Sequence, residues 1–522
     1  MHDHSGCCGC AGHSMGRRTF LASVGGTALG AAAFAGAAGA TESGACDKNQ
    51  KSGCGKAPAP GTPLVVQPAL VYSIPTRREA TSWRGWGGLH TQSDVDQEIN
   101  RIEAELRALA EKAEFPITFR PVARVTKPEE GTPLRDGDAD VMLIYAASAG
   151  NAEIEALIKP ERPNLMFVRH KSGPVYLYYE IAHPVFLRKW KEPHSQPGIG
   201  VHDIVVDSQD EIEMRLRALY GLRNTVGSKI IAIGDAAGWG AGGKDAPKIA
   251  VDQWKLDIIN EPYDDLGKRI VSAKADAARV KRAEAEAAEY LKDRKLKLQT
   301  GAEYVQRAFL LHQVFQDLME EHKAPAITIN NCMSTIMPMS ETTACLVLTL
   351  LNDAGVMAFC ESDFVVIPSG ILLRHIASKP VFLNDPTYPH DGVITLAHCT
   401  APRRMDGKRL EKVRMLTHFE SDYGAAPKVE MKVGQTVTVI DPDFASQKWI
   451  GFRGKILDNP FLDICRSQVD VSIEGDWTKL MEDMVGFHWM MSYGDYLQET
   501  GYALRRMGIQ WENLTASNVA RT

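Results

Sequence analysis

Beyond its first forty residues this 522-residue chain has no apolar run long enough to cross a membrane. That argues against an integral membrane segment in a mature product. It has no basic patch either. Lys and Arg total 59 against 65 Asp and Glu, and the net charge of -6 argues against nucleic acid as a partner. No internal repeat is evident. The glycines at 234, 238, 240, 242 and 243 do not match G-x-G-x-x-G, so a turn without a dinucleotide is expected there. Cysteines are not clustered in the expected mature chain. The last two absences count against an exported oxidoreductase.

Cysteine is scarce where it would matter. Of ten, Cys7, Cys8 and Cys10 stand with His2, His4 and His13 before a pair of arginines. They look like a metal cluster, but the peptide carrying them is expected to be removed, and no role is assigned to them. Gly16-Arg17-Arg18-Thr19-Phe20-Leu21 is a twin-arginine motif. A small, mildly apolar stretch follows, then Ala38-Gly39-Ala40, which fits a cleavage site before Thr41. The expected location is the periplasm or the exterior. Seven cysteines would remain. Cys46 and Cys54 could pair in a Gly/Lys/Ser-rich linker, and Cys332, Cys345, Cys360, Cys399 and Cys465 are expected as buried thiols.

What is present is a soluble α/β pattern. Apolar residues make up 44% and charged residues 24%. The expected organisation is a signal peptide over 1–40 and a disordered linker over 41–62. An N-terminal α/β domain (63–227), a second α/β domain (228–385) and a β-rich C-terminal domain with a terminal helix (386–522) would follow. Strands near 64–72, 140–145, 165–168, 229–233 and 326–330 alternate with helices, which predicts parallel sheets covered by helices. Residues 273–298, dense in Ala, Glu, Lys and Arg, predict one long exposed helix. From 386 onward period-two alternation predicts antiparallel strands, for example over 429–440, and 484–507 predicts a return to helix.

The most informative stretch is Cys360-Glu361-Ser362-Asp363-Phe364, which closes the apolar run 355–359. Carboxylates at the carboxyl end of a strand lie where α/β sheets usually bind ligands. A helix pattern and then Lys379-Pro380-Val381-Phe382-Leu383-Asn384-Asp385 follow. This order resembles the C-terminal half of the L-fucose/L-arabinose isomerase family, most strongly over about 325–505. The resemblance implies two Rossmann-like domains and a mostly β domain, a small sugar as substrate, and a homo-oligomer, a hexamer or similar ring. It also implies a divalent metal, with Mn2+ the expected ion, and aldose–ketose interconversion through an enediolate.

The chemistry needs hard oxygen ligands, a His and a carboxylate that moves a proton. Matched to the family's motifs, Asp363 and Glu341 are expected as acid/base groups. Glu341, Asp363 and His488 (in Gly486-Phe487-His488-Trp489) are expected as metal ligands. Sliding the helix one turn would put Cys345 in place of Glu341. In that case a catalytically altered sugar-binding homologue becomes the better reading. Glu361 is expected to point to the opposite side from Asp363 and to pair with an Arg or Lys. Arg78, Trp83 and Trp86 of an aromatic-basic loop, and His398 after a strand, are the substrate-binding candidates, since Trp faces stack on sugar rings.

Overall fold

Near-continuous apolar segments such as Leu64–Val71 and Val141–Ala146 are buried on both faces, the signature of strands in a parallel sheet. In the computed structural model, residues 61–85 and 88–516 are described. The twin-arginine signal, the Cys46 and Cys54 pairing and Trp86 lie outside them. The first sheet runs Ile117–Phe119, Leu64–Val71, Val141–Ala146, Asn164–Val168, Ile204–Val206, with Ala123–Val125 also beside Leu64–Val71. All its pairings are parallel. The helix Gln92–Lys112 covers it. Its start is set by Thr91, whose side chain caps Asp94 N while Asp94 returns the bond.

The second sheet is also parallel, in the order Met357–Cys360, Ala326–Ile329, Lys229–Ile233, Asp257–Glu261. The helix Ile367–Ala377 is buried along its whole length. It packs against the helix Gln209–Thr225 of the first unit so closely that a Cβ on Gly221 would sit 2.5 Å from Ile376 Cγ1.

The C-terminal strands are antiparallel, as the alternation predicts, and they close on themselves. The order is Thr436–Pro442, Trp489–Tyr493, Phe382–Pro386, Val393–His398, Ser467–Ser472, Lys448–Asp458, and the last pairs back to the first. Gln510–Asn513 adds in parallel to Lys448–Asp458. Closure removes free edges. The strand ending at Asp385 thus belongs to this barrel, hydrogen-bonded to Trp489–Met491, and not to the second parallel sheet.

Two helix expectations change. Residues 273–298 are not one helix. The chain breaks at Asp276 (ψ 100°), whose carboxylate caps Ala278 N and Arg279 N of the helix Ala277–Tyr290, and Leu296–Leu298 is a strand. A capping carboxylate competes with the helix ladder. Nor is 484–507 helical throughout. Trp489–Tyr493 is fully buried on both faces and forms a barrel strand, and the helix is Leu497–Arg506.

No single helix among the described residues is long and apolar enough to cross a membrane. The bent pair Cys332–Ser340 and Cys345–Asp353 passes on length and composition together, but its second helix is almost wholly buried in the protein core.

Candidate metal centre

The acidic residues do not continue the strand. The strand stops at Cys360, and Glu361 (φ 65°) and Ser362 (φ 46°) are both left-handed. Two consecutive non-glycine residues in this region store strain, of order 1–3 kcal/mol each, which surrounding structure must hold. Ser362 N is held by Thr328 Oγ1, and Ser362 O and Phe364 N bridge to Ala237. With the backbone turned there, Asp363 meets Nδ1 of His488 and Glu361 lies toward its Nε2.

His488 is fully buried at the head of the barrel strand Trp489–Tyr493. Its Nδ1 lies 2.8 Å from Asp363 Oδ2, across 125 residues of chain. The other oxygen of Asp363 accepts from Val365 N (3.1 Å) and Trp239 N (3.3 Å). Asp363 therefore has its oxygens committed and faces the back of the imidazole. A carboxylate in that position fixes the tautomer and turns Nε2 outward, as in the carboxylate–histidine pairs of metal sites.

His488 Nε2 looks onto Asp385 Oδ1 at 3.2 Å and Glu361 Oε2 at 3.5 Å. His398 Nε2 lies 3.7 Å from Glu361 Oε1. The Nδ1 of His398 is 2.9 Å from Thr400 Oγ1, which orients its ring. One ligand atom each from Asp385, His398 and His488 lies within 4.8 Å of the others. Asp385 Oδ1, His398 Nε2 and His488 Nε2 are buried and make no hydrogen bond of good geometry, although each imidazole Nε2 lies within ion-pair distance of a carboxylate. A buried polar atom left unpaired costs roughly 1–3 kcal/mol. Three such atoms converging on one point are a donor set that a cation would satisfy. Donors about 2.0–2.2 Å from one ion lie about 3–4 Å from each other; the His488–Asp385 pair is at 3.2 Å and the whole group falls within 4.8 Å. Cys360, Glu361 and His398 form a second such group.

The electrostatics agree. Burial pulls the His488 imidazole down, but the carboxylates of Asp363, Asp385 and Glu361 outweigh it and hold it well above its ordinary value. His398 is likewise raised, burial being outweighed by Glu361 and Asp385. Burial pushes Glu361 up, and the two imidazoles override that and bring it far below the usual carboxylate range.

The indole N–H of Trp239 donates to Glu361 Oε2 at 2.6 Å. The ring stacks on Phe487 at 4.3 Å, and both aromatics are exposed at the edge of the site. The glycines around Trp239 serve close approach. A Cβ on Gly238 would stand 2.1 Å from Gly243 O.

Of the residues expected from sequence, Asp363 and His488 come together, with Asp363 behind the imidazole in place of facing an ion. His398 joins as a donor. Glu341 does not join. It sits in a left-handed turn, half-exposed, bound to Lys274 (2.7 Å) and Arg307 (3.4 Å). Cys345 does not replace it. That thiol is buried with Cys399 and Ala426. Arg78 is exposed, and the ring contacts of Trp83 are with His90 and Arg84. Sequence reasoning assigned no site role to Asp385, Glu361 or Trp239. Asp385 was visible as the end of the Lys379–Asp385 motif. Comparison with models of known protein families and with curated proteins finds no match.

Proposed function

We propose that the protein is a divalent-metal-dependent isomerase that interconverts an aldose and a ketose. The observation that carries the reading is the convergence of three buried donors, from Asp385, His398 and His488, that make no hydrogen bond of good geometry. One carboxylate and two imidazoles suit Mn2+, Fe2+ or Zn2+, with Mn2+ the expected ion. When bound, the cation supplies Lewis acidity toward neighbouring sugar oxygens. Asp363 keeps His488 turned with Nε2 toward the site. Glu361 is ionised at neutral pH, partly open to solvent, and held by the Trp239 N–H. It is the group that takes a proton from one sugar carbon and returns it to the next. Trp239 and Phe487 offer an aromatic edge to the sugar. In this reading Glu361 and Asp385 take the carboxylate roles that the resemblance gave to Glu341 and Asp363, and His488 keeps its role. Two parallel α/β units before a closed β domain fit the same family layout.

The test is metal analysis of the purified protein after supply of Mn2+, Fe2+ and Zn2+. Incubation with pentoses, hexoses and deoxy sugars in deuterated water follows. Asp385→Asn should lose the metal. Glu361→Gln should keep it and lose both isomerisation and deuterium uptake. Wild-type protein that holds no metal sinks the reading. Protein that binds metal and sugar without turnover or exchange selects the sugar-binding homologue. Export is part of the same proposal, resting on the twin-arginine motif. Arg17→Lys with Arg18→Lys should trap the precursor in the cytoplasm.

A further inference from the structure

Arg374 is a buried cation without an anion. It lies in the last turn of the helix Ile367–Ala377 and is 6% exposed. Its Nη2 donates to Gly355 O at 3.3 Å. Its Nε is buried with no partner, and no carboxylate forms an ion pair with it among the described residues. Next to it His375, 8% exposed, also has an unpaired buried atom, Nδ1. Burial pushes His375 down to about 3, so it is neutral at physiological pH. A guanidinium taken out of water is strongly penalised unless an anion meets it.

Both side chains line a cavity of about 340 Å³, within the usual size of small-ligand pockets. Met319, Leu351, Val356 and Met357 give it an apolar wall, and Glu320 stands exposed in its lining. The cavity is at the amino ends of the strands Ala326–Ile329 and Met357–Cys360. The candidate metal centre is at their carboxyl ends, roughly 13 Å away along a four-residue strand. The two sites share a strand and no residues.

We infer that this cavity is a second ligand site, for a small monocarboxylate with an apolar body. The guanidinium fork matches a carboxylate in shape and charge. One cation, a neutral imidazole and a nearby glutamate favour a single negative charge over a phosphate dianion. The apolar wall takes the rest of the ligand.

The test is calorimetry on the metal-loaded full-length protein with butyrate and benzoate. Butyramide, benzamide and inorganic phosphate are the comparison ligands. The carboxylates should bind, the amides should bind about 30-fold more weakly or worse, and phosphate should bind more weakly than benzoate. Arg374→Met should abolish carboxylate binding and raise the melting temperature of the ligand-free protein, because it removes an uncompensated charge. Val356→Trp, which fills the cavity and keeps the arginine, should abolish binding too. His488→Ala should leave it unchanged. Equal binding of amide and acid, tighter binding of phosphate, or undiminished binding in Arg374→Met or Val356→Trp overturns the inference. So does loss of binding in His488→Ala, or an Arg374→Met protein that melts lower or fails to fold.

Discussion

Replacing Asp363 by Asn separates an orienting carboxylate from a ligand. Asp363 Oδ1 is fixed by two backbone donors, Val365 N and Trp239 N. An asparagine would keep its oxygen there and so turn its NH2 toward His488 Nδ1. Nδ1 must then accept, and the ring proton moves to Nε2, the atom that faces Asp385. A protonated Nε2 cannot bind a cation. Loss of such an orienting partner costs about 10–100-fold in metal affinity, or about 1.4–2.8 kcal/mol. The assay is Mn2+ affinity by competition with a chelator, alongside thermal melting. At metal one hundred times the wild-type dissociation constant, stabilisation by the ion is about 2.7 kcal/mol, and a hundredfold weaker variant keeps about 0.4 kcal/mol. The metal-free melting temperature reports whether the fold survives. Affinity within twofold of wild type would refute the orienting role. Loss as complete as in Asp385→Asn would place Asp363 on the ion itself.

Glu341→Gln should leave metal content and turnover unchanged and cost less than about 1 kcal/mol, since its pairs with Lys274 and Arg307 are at the surface; loss of the metal would return Glu341 to the site. Carboxylates hold His488 well above its ordinary value and His398 above its own, so the metal-free site favours the protonated imidazoles. Metal binding should therefore release up to about two protons, with affinity rising as pH rises; calorimetry in buffers of different ionisation enthalpy reads the number, and no release at pH 7 would contradict it. Burial raises Glu499 to about 7, so the folded state keeps a proton that the unfolded chain loses above about 4.5. Stability falls as pH rises through that window, by up to about 3 kcal/mol. Glu499→Gln should raise the melting temperature at pH 8 and not at pH 4, and equal effects at both would refute the cause.

The alternation of apolar strands and helices determined the two parallel sheets, because strands buried on both faces leave near-continuous apolar runs such as Val141–Ala146. Period-two alternation likewise determined the antiparallel end of the chain. The acidic strand end stood out locally, as carboxylates closing an apolar run, whereas His488 was singled out only by the family resemblance. Which acid does what was a tertiary decision. In an extended strand Glu361 and Asp363, two apart, would share a face; two left-handed residues, held by Thr328 and Ala237, instead set them on the two nitrogens of His488. Asp385 reaches the site only because its strand leaves the second sheet and pairs with Trp489–Met491 in the barrel. Glu341 had a plausible place at a helix start, yet Lys274, 67 residues earlier, holds it at the surface. Local sequence sets the period of an element and the chemistry it carries. The partner strand, and the backbone turn at its end, decide where that chemistry points.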